Sequence, residues 1–410
     1  MKICILSCFG DLLLKDIGPS VRIYQLAKGL ASLGHEVHII IPNDKMTNEY
    51  VDGMIVHGVK GFCPKVILKI FSKLLGVLRF SSLFFYDFLF ISRAAQIIRN
   101  SDIVQIEQQS AGGLFIPIIT TFLKKPLVLD CHDTFQAARV KHTGTIRKIL
   151  ETFLEKVTYK YADTILTVSE RERKYLISYG IGQWNIEVIP NGVDTEDFNN
   201  LLDATPFLEQ YNLKNFHTVI FVGNMEYLPN QEAVQVIASE IAPKVQKEIN
   251  NTEFLIVGRT PKKMELPNLT FTGSVSHENV AEFLVTSDVA IAPLFHGSGT
   301  RLKILEYFSC GLPVVSTTVG VEGLEVKNGV HVLIEDDMNE FAIKVTKLLK
   351  DKVSSRKLGK TARELVVNKY DWKKIARQLD TIYRNLLFGT NNKVERCGSL
   401  VSRTSMPRLE

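Results

Sequence analysis

The sequence predicts an α/β protein made of two doubly wound, Rossmann-like domains, and three observations carry that prediction. Short apolar runs alternate with helix-spaced patterns from the start, which marks βαβ units around a parallel sheet buried on both faces. The alternation stops at Pro190-Asn191-Gly192-Val193-Asp194 and resumes after Lys214. A chain of 410 residues also exceeds one ordinary core, so two domains are the default.

The first strand is read at Ile3–Ser7, followed by an amphipathic helix over Ser20–Leu33 with Val21, Tyr24, Leu26, Ala27 and Leu30 apolar and Gly34 as its stop. Buried strands follow at Val37–Ile41, Ile103–Ile106, Leu127–Asp130, Thr164–Val168 and Glu187–Ile189. Asn-Gly after a strand signals a turn, which sets the boundary between Asn191 and Lys214. The second series runs Thr218–Val222, a helix around Glu232–Ala242, Glu253–Val257, Leu269–Phe271, a helix around Glu278–Val285, and Val289–Ala292. A long amphipathic helix over Lys373–Leu387 closes the pattern, and the polar stretch from Gly389 is expected to be a disordered tail. The expected division is residues 1–195, 205–370, a last helix over 371–388, and the tail 389–410.

Composition narrows the function. A hydrophobic share of 45% with 23% charged residues is that of a globular chain. The net charge of +5 is modest and its lysines and arginines are spread out, so nucleic acid is not expected as a partner. The six cysteines show neither CxxC nor Cys/His metal spacing, and reduced, mostly buried thiols in a cytoplasmic protein are expected. Met1–Cys8 is apolar but short, charged residues follow at once, and no small-residue cleavage site appears, so a buried strand is expected rather than a signal peptide. No stretch reaches the ~18 apolar residues of a membrane span.

The most informative stretch is Gly297-Ser298-Gly299-Thr300-Arg301-Leu302-Lys303-Ile304-Leu305-Glu306, which leads to the breaker Gly311-Leu312-Pro313 and the apolar Val314-Val315-Ser316. A small-residue loop therefore opens a helix between two strands. Free backbone N–H groups and the positive dipole end favour phosphate at such a start. Arg301 and Lys303 have two readings. They are phosphate ligands, one a fork and one a point charge, or solvated cations on a helix surface. Glu306, further along the helix, is spaced to accept hydrogen bonds from a ribose. The stretch reads as a nucleotide-diphosphate cradle.

With these residues in view, the chain resembles the retaining GT-B glycosyltransferases of family 4, also called glycosyl transferases group 1. The resemblance rests on the cradle, on Val188-Ile189-Pro190-Asn191-Gly192-Val193-Asp194, and on Phe221-Val222-Gly223-Asn224. Ile256-Val257-Gly258-Arg259, Phe271-Thr272-Gly273, Ser287-Asp288-Val289-Ala290 and Trp372 before the closing helix support it, over roughly residues 1–388. It implies a GT-B fold, with two domains facing across a cleft and the last helix crossing back to the first. It also implies sugar transfer from a nucleotide diphosphate sugar to a glycan or lipid-linked acceptor, in cell-surface polysaccharide or glycoconjugate synthesis. The donor is the only small molecule implied, with no further cofactor. Gly223, Asn224, Arg259, Gly273, Val275, Ser298, Gly299, Thr300, Arg301, Lys303 and Glu306 become donor-binding candidates, the base meeting backbone near Gly273–Val275. The chain departs from the family twice. Where members carry Glu, seven residues, then Glu, this chain has Ser298 and then Glu306. The usual Arg and Lys after the first strand of the second domain are missing from Gly223–Gln231. No Asp-x-Asp pair occurs for a metal, so Arg301 and Lys303 are expected to supply the charge.

His132 follows a buried strand in Leu129-Asp130-Cys131-His132-Asp133, where ligands meet the carboxyl ends of parallel strands. By resemblance it is the catalytic candidate; on the residues alone a loop hydrogen-bonding group is the simpler reading. The loop Phe9–Ser20 ends in Gly18-Pro19-Ser20, and the resemblance places Gly18, Ser20 and Arg22 on the acceptor side. Ser20 is expected to cap its helix, with Arg22 pointing to the cleft or to solvent. Residues 61–86 carry Lys65, Lys69, Lys73 and Arg79 without an acidic residue, behind apolar and then aromatic side chains. Either this is an interfacial helix that draws residues 61–90 to an anionic membrane, or it covers the first sheet. The expected location is cytoplasmic, peripheral on the inner face of the cell membrane. Ser298 also motivates an alternative, a catalytically silent GT-B subunit that binds nucleotide or a partner transferase.

Overall fold

The computed structural model describes residues 1–7, 18–60, 88–107, 115–131, 158–178, 180–182, 185–199, 213, 215–260, 266–297 and 299–389. His132, Ser298, most of the first loop, the basic segment 61–87 and the tail after 389 lie outside the described residues.

Two sheets form, one on each side of Pro190-Asn191. The first has eight strands in the order β3-β4-β2-β1-β5-β6-β7-β8. These are β1 Lys2–Leu6, β2 Glu36–Asn43, β3 Thr47–Val51, β4 Met54–Lys60, β5 Ile103–Glu107, β6 Leu127–Cys131, β7 Thr164–Thr167 and β8 Ile186–Val188. All pair in parallel except β3 with β4. That pair is a hairpin, turned at Asp52 and Gly53 with φ of 47° and 79°. Two successive left-handed residues suit the tight turn that matches strand twist.

The second sheet has six strands in the order β11-β10-β9-β12-β13-β14, all parallel. They are β9 His217–Val222, β10 Thr252–Val257, β11 Thr270–Gly273, β12 Val289–Ala292, β13 Val314–Ser316 and β14 Leu333–Ile334. The reversal of strand order beside β9 puts the carboxyl ends of β9 and β12 at a switch point, where α/β sheets bind ligands. Apolar clusters cover both faces of both sheets, as continuous apolar runs demand.

Three helices position the site. Helix α1 spans Gly18–Ser32. Ser20 is therefore inside its first turn and is not the cap expected; Gly18 and Pro19 open the helix, where the fixed φ of proline fits. The cradle helix spans Leu302–Ser309, with Arg301 at its N-cap. The last helix, Trp372–Phe388, leaves the second unit and packs on the first. Trp372, Ile375, Leu379 and Tyr383 share a core with Ile3, Ile23, Leu26 and Leu30. It lies close to α1 because residue 29 is glycine: a Cβ there would stand 2.4 Å from Ala376 Cβ. The two chain crossings between the units run side by side, with the Val193 N–H donating to Tyr370 O at 2.9 Å and the Trp372 N–H to Val193 O at 3.2 Å.

Candidate active site

The second unit's candidates meet at the carboxyl edge of its sheet, where glycine backbones stack. The Gly223 N–H donates to Val257 O at 2.9 Å. A Cβ on Gly258, whose φ is +130°, would lie 2.1 Å from Gly223 O. Two strand ends thus close to a separation that no side chain permits. Gly273 ends β11 at φ 73° and its carbonyl accepts the Gly258 N–H at 3.2 Å.

Lys303 rises from the first turn of the cradle helix into this gap. Its Nζ donates to Asn230 Oδ1 at 2.9 Å and stands 4.1 Å from the centre of the Phe221 ring. A Cβ on Gly223 would come within 2.9 Å of that nitrogen. Asn230 in turn donates from Nδ2 to Asn224 O at 2.8 Å. Burial pulls the ammonium down to about 7, the neighbouring Arg301 charge adds to this, and Glu306 opposes it. Lys303 is therefore not the solvated surface cation that one reading of the sequence allowed. It reaches the loop after β9, where the sequence itself carries no lysine.

Arg301 folds back over its own loop. Its guanidinium donates to Gly299 O at 2.6 Å, and a Cβ at Gly297 would meet it at 2.7 Å. Gly297 and Gly299 take φ of 125° and 73°, so glycine at both lets the loop wrap the cation. Glu306 is partly buried on the same helix. Tyr307, fully buried, accepts the Val222 N–H at its hydroxyl at 2.8 Å and so ties the helix to the end of β9.

The side chains of the other candidates are engaged with protein partners. Asn224 spends its side-chain oxygen on the Glu226 N–H at 2.9 Å. Arg259 is exposed and ion-paired with Glu226 at 3.1 Å. Val275 packs against the second unit's core. Thr300 is buried, and its hydroxyl accepts a hydrogen bond from Asn191 Nδ2 at 2.8 Å.

From the first unit, Gly18 meets the cradle directly: a Cβ there would touch Leu302 Cδ1 at 3.6 Å. Ser20 is buried beside it. Arg22 points neither to a cleft nor to solvent, as the sequence reading had it. It is fully buried and holds Asp130 at 2.9 Å, because a buried charge needs a partner. Sequence reasoning passed over Asn230, Tyr307, Phe221 and the role of Asn191. For Asn191 a signal existed, its place in the linker motif; for Asn230 none did.

Residues 18–197 match the family described as Glycosyltransferase Family 4, and residues 216–351 match Glycosyl transferases group 1. The chain is 24% identical to N-acetyl-alpha-D-glucosaminyl L-malate synthase of Bacillus anthracis, over 92% of this chain and 96% of that protein. It is 28% identical to the phosphatidylinositol N-acetylglucosaminyltransferase GPI3 subunit of Saccharomyces cerevisiae, over 49% of this chain and 46% of that longer protein. Its fold is similar to that of Anabaena Alr3699/HepE, solved in complex with UDP, at a TM-score of 0.70 and 14% identity, covering 93% of this chain and 99% of that one.

Proposed function

The chain belongs to the GT-B glycosyltransferases of family 4 and group 1 and is a glycosyltransferase, and on that premise we propose a retaining, metal-independent transfer from a nucleotide diphosphate sugar to a glycan or lipid-linked acceptor. In this reaction the bond from the anomeric carbon to the diphosphate oxygen breaks, and the diphosphate leaves with both electrons. An acceptor hydroxyl forms the new bond on the same face and releases its proton. Charge builds on the leaving oxygens, and fixed cations facing them stabilise that change more than they stabilise the bound donor. Arg301 and Lys303 fill that role in our reading, and His132, outside the described residues, is the catalytic candidate.

The single observation that supports this most is Lys303. A cation set against an aromatic ring, beside a second cation and with a lowered pKa, gains from the arrival of an anion. Its position also offers a reason why the loop after β9 manages without its own lysine. The phosphatidylinositol-directed relative and the basic segment 61–90 favour a lipid-linked acceptor and peripheral attachment to the inner membrane face. Among the described residues no helix is long and apolar enough to cross a membrane.

The test is a thermal-shift screen of UDP, GDP and ADP with their sugar forms, followed by product analysis. A ligand at ~100 times its dissociation constant adds about 2.7 kcal/mol. Turnover that survives EDTA, with the anomeric configuration of the donor kept in the product, is the expected result. A strict divalent requirement, or an inverted product, would overturn the mechanism.

A further inference from the structure

One hydrogen-bonded chain of buried side chains runs from the last helix to the cradle. The Tyr383 hydroxyl donates to Gln105 Oε1, and Gln105 Nε2 donates to Asp130 Oδ2 at 3.4 Å. Arg22 Nε and NH2 donate to the same carboxylate at 3.0 and 2.9 Å. Arg22 NH1 donates to Asn191 Oδ1 at 3.1 Å and to Pro190 O at 3.0 Å. Asn191 Nδ2 then donates to Thr300 Oγ1 at 2.8 Å. Tyr383, Gln105, Asp130 and Arg22 are 0% exposed, and Asn191 and Thr300 are 8%.

We propose that Arg22 and Asn191 are positioning residues for sugar transfer, which fix the Thr300–Arg301 turn of the cradle against the first unit through this chain. The proposal rests on the reading that the cradle takes the donor diphosphate. The guanidinium can only donate, so the Asn191 amide has one orientation: oxygen toward Arg22, nitrogen toward Thr300. Asn191 is the only side chain of the chain that lies in the linker between the sheets. It bonds Arg22 of the first unit and Thr300 of the second. Asp130 sits on β6 two residues before His132 in sequence, so the chain passes through the strand that leads to His132 and ends one residue before Arg301. Buried polar chains specify one arrangement because an alternative leaves groups unpaired. Here the arrangement specified is the alignment of the two halves of the site.

Arg22→Ala would strand Asp130 and is expected not to fold, so Asn191→Ala, Thr300→Val and the double variant are the informative set. In steady-state assays kcat should fall about 10- to 100-fold in each single variant, as for a small misplacement of reactants. The donor KM and the affinity for the free nucleotide diphosphate should stay within about threefold. The double variant should lose no more than the worse single one, because both substitutions break the Asn191–Thr300 bond. Parent kcat, multiplicative losses, or a Thr300→Val variant that loses nucleotide affinity would each overturn the proposal; the last would make Thr300 a direct ligand. A second readout needs no turnover. Amide exchange in the free protein should speed up over residues 301–304 and 20–24 in Asn191→Ala, with the core strands unchanged. If the parent transfers no sugar but exchange changes in this way, the proposed function fails and the positional tie stands. Unchanged exchange overturns the tie itself.

Discussion

Lys303 is a cation held in the free protein at a cost, and that cost has a readable pH signature. Its pKa sits near 7 when folded against an ordinary 10.5. The unfolded chain therefore binds the extra proton between these values, and the free protein gains stability as pH rises across that window. Lys303→Met should flatten this rise in denaturation curves taken from pH 7 to 10; a slope equal to the parent's would place the titration elsewhere. A diphosphate beside Lys303 raises its pKa again, so binding takes up a proton. Calorimetry in buffers of different ionisation enthalpy should find uptake approaching about one proton near pH 8.5 and close to none near pH 6. Affinity should fall with rising pH over the same range. Arg301 gives a complementary test. Arg301→Ala should weaken nucleoside diphosphate by about 1.5–3 kcal/mol and leave nucleoside binding nearly unchanged, and equal weakening of both would mean that Arg301 only shapes its loop. Glu306→Gln should keep the fold and weaken the ribose-bearing donor; unchanged donor affinity would place ribose recognition elsewhere.

At the scale of elements, the meeting of β9 and β10 depends on glycine. Gly258→Ala places a methyl at φ +130° and into Gly223 O, a backbone strain of about 1–3 kcal/mol before the clash is counted. A drop in melting temperature of roughly 2–12 °C and loss of nucleotide-dependent stabilisation are expected from calorimetry with and without ligand. A variant that melts with the parent would show that the loops can separate without consequence. The same elements show what the sequence made legible. Parallel strands were readable because both faces are buried and the runs are apolar throughout, as at Val219–Phe221. The hairpin β3–β4 went unread although Asp52-Gly53 signals it, because Tyr50 on β3 is exposed and no alternation of burial marks that strand. The helix expected around Glu232–Ala242 is in fact Leu228–Val236, a π-helical turn at Ile237–Ile241, and Ala242–Glu248. The Ala242 N–H reaches back to Ile237 O, since Pro243 cannot donate and its ring crowds the preceding turn. The cradle was legible as a local pattern. Its partners Asn230 and Phe221 were not, because they arrive from other elements, and nothing near them in sequence marks the contact.

At the scale of the molecule, the two units are joined at the linker and at the start of the last helix, and a membrane is the proposed third body. If Lys65, Lys69 and Lys73 face lipid, each adds about 1 kcal/mol of attraction to an anionic surface. Vesicle co-sedimentation should rise with anionic lipid, fall with salt, and drop when the three become glutamine, with nucleotide binding unaltered. Sedimentation that ignores all three changes would remove the membrane from the proposal. The last helix carries a further test, because it belongs to the first unit's core. Leu379→Ala should destabilise that unit by about 2–5 kcal/mol, seen as faster exchange in β1 and α1 while β9 and β12 stay protected. Equal loss in both units would mean they unfold as one. This packing also sets a timetable for the newborn chain. A ribosome makes α1 early and its cover, Trp372–Phe388, only after the whole second unit. At ~5–20 residues per second that interval is on the order of ten seconds or more. Throughout it Ile23, Leu26 and Leu30 have no partner from Ile375 or Leu379. The first half to be synthesised is therefore the second to be finished, and a chaperone that shields apolar helix faces has its opportunity then.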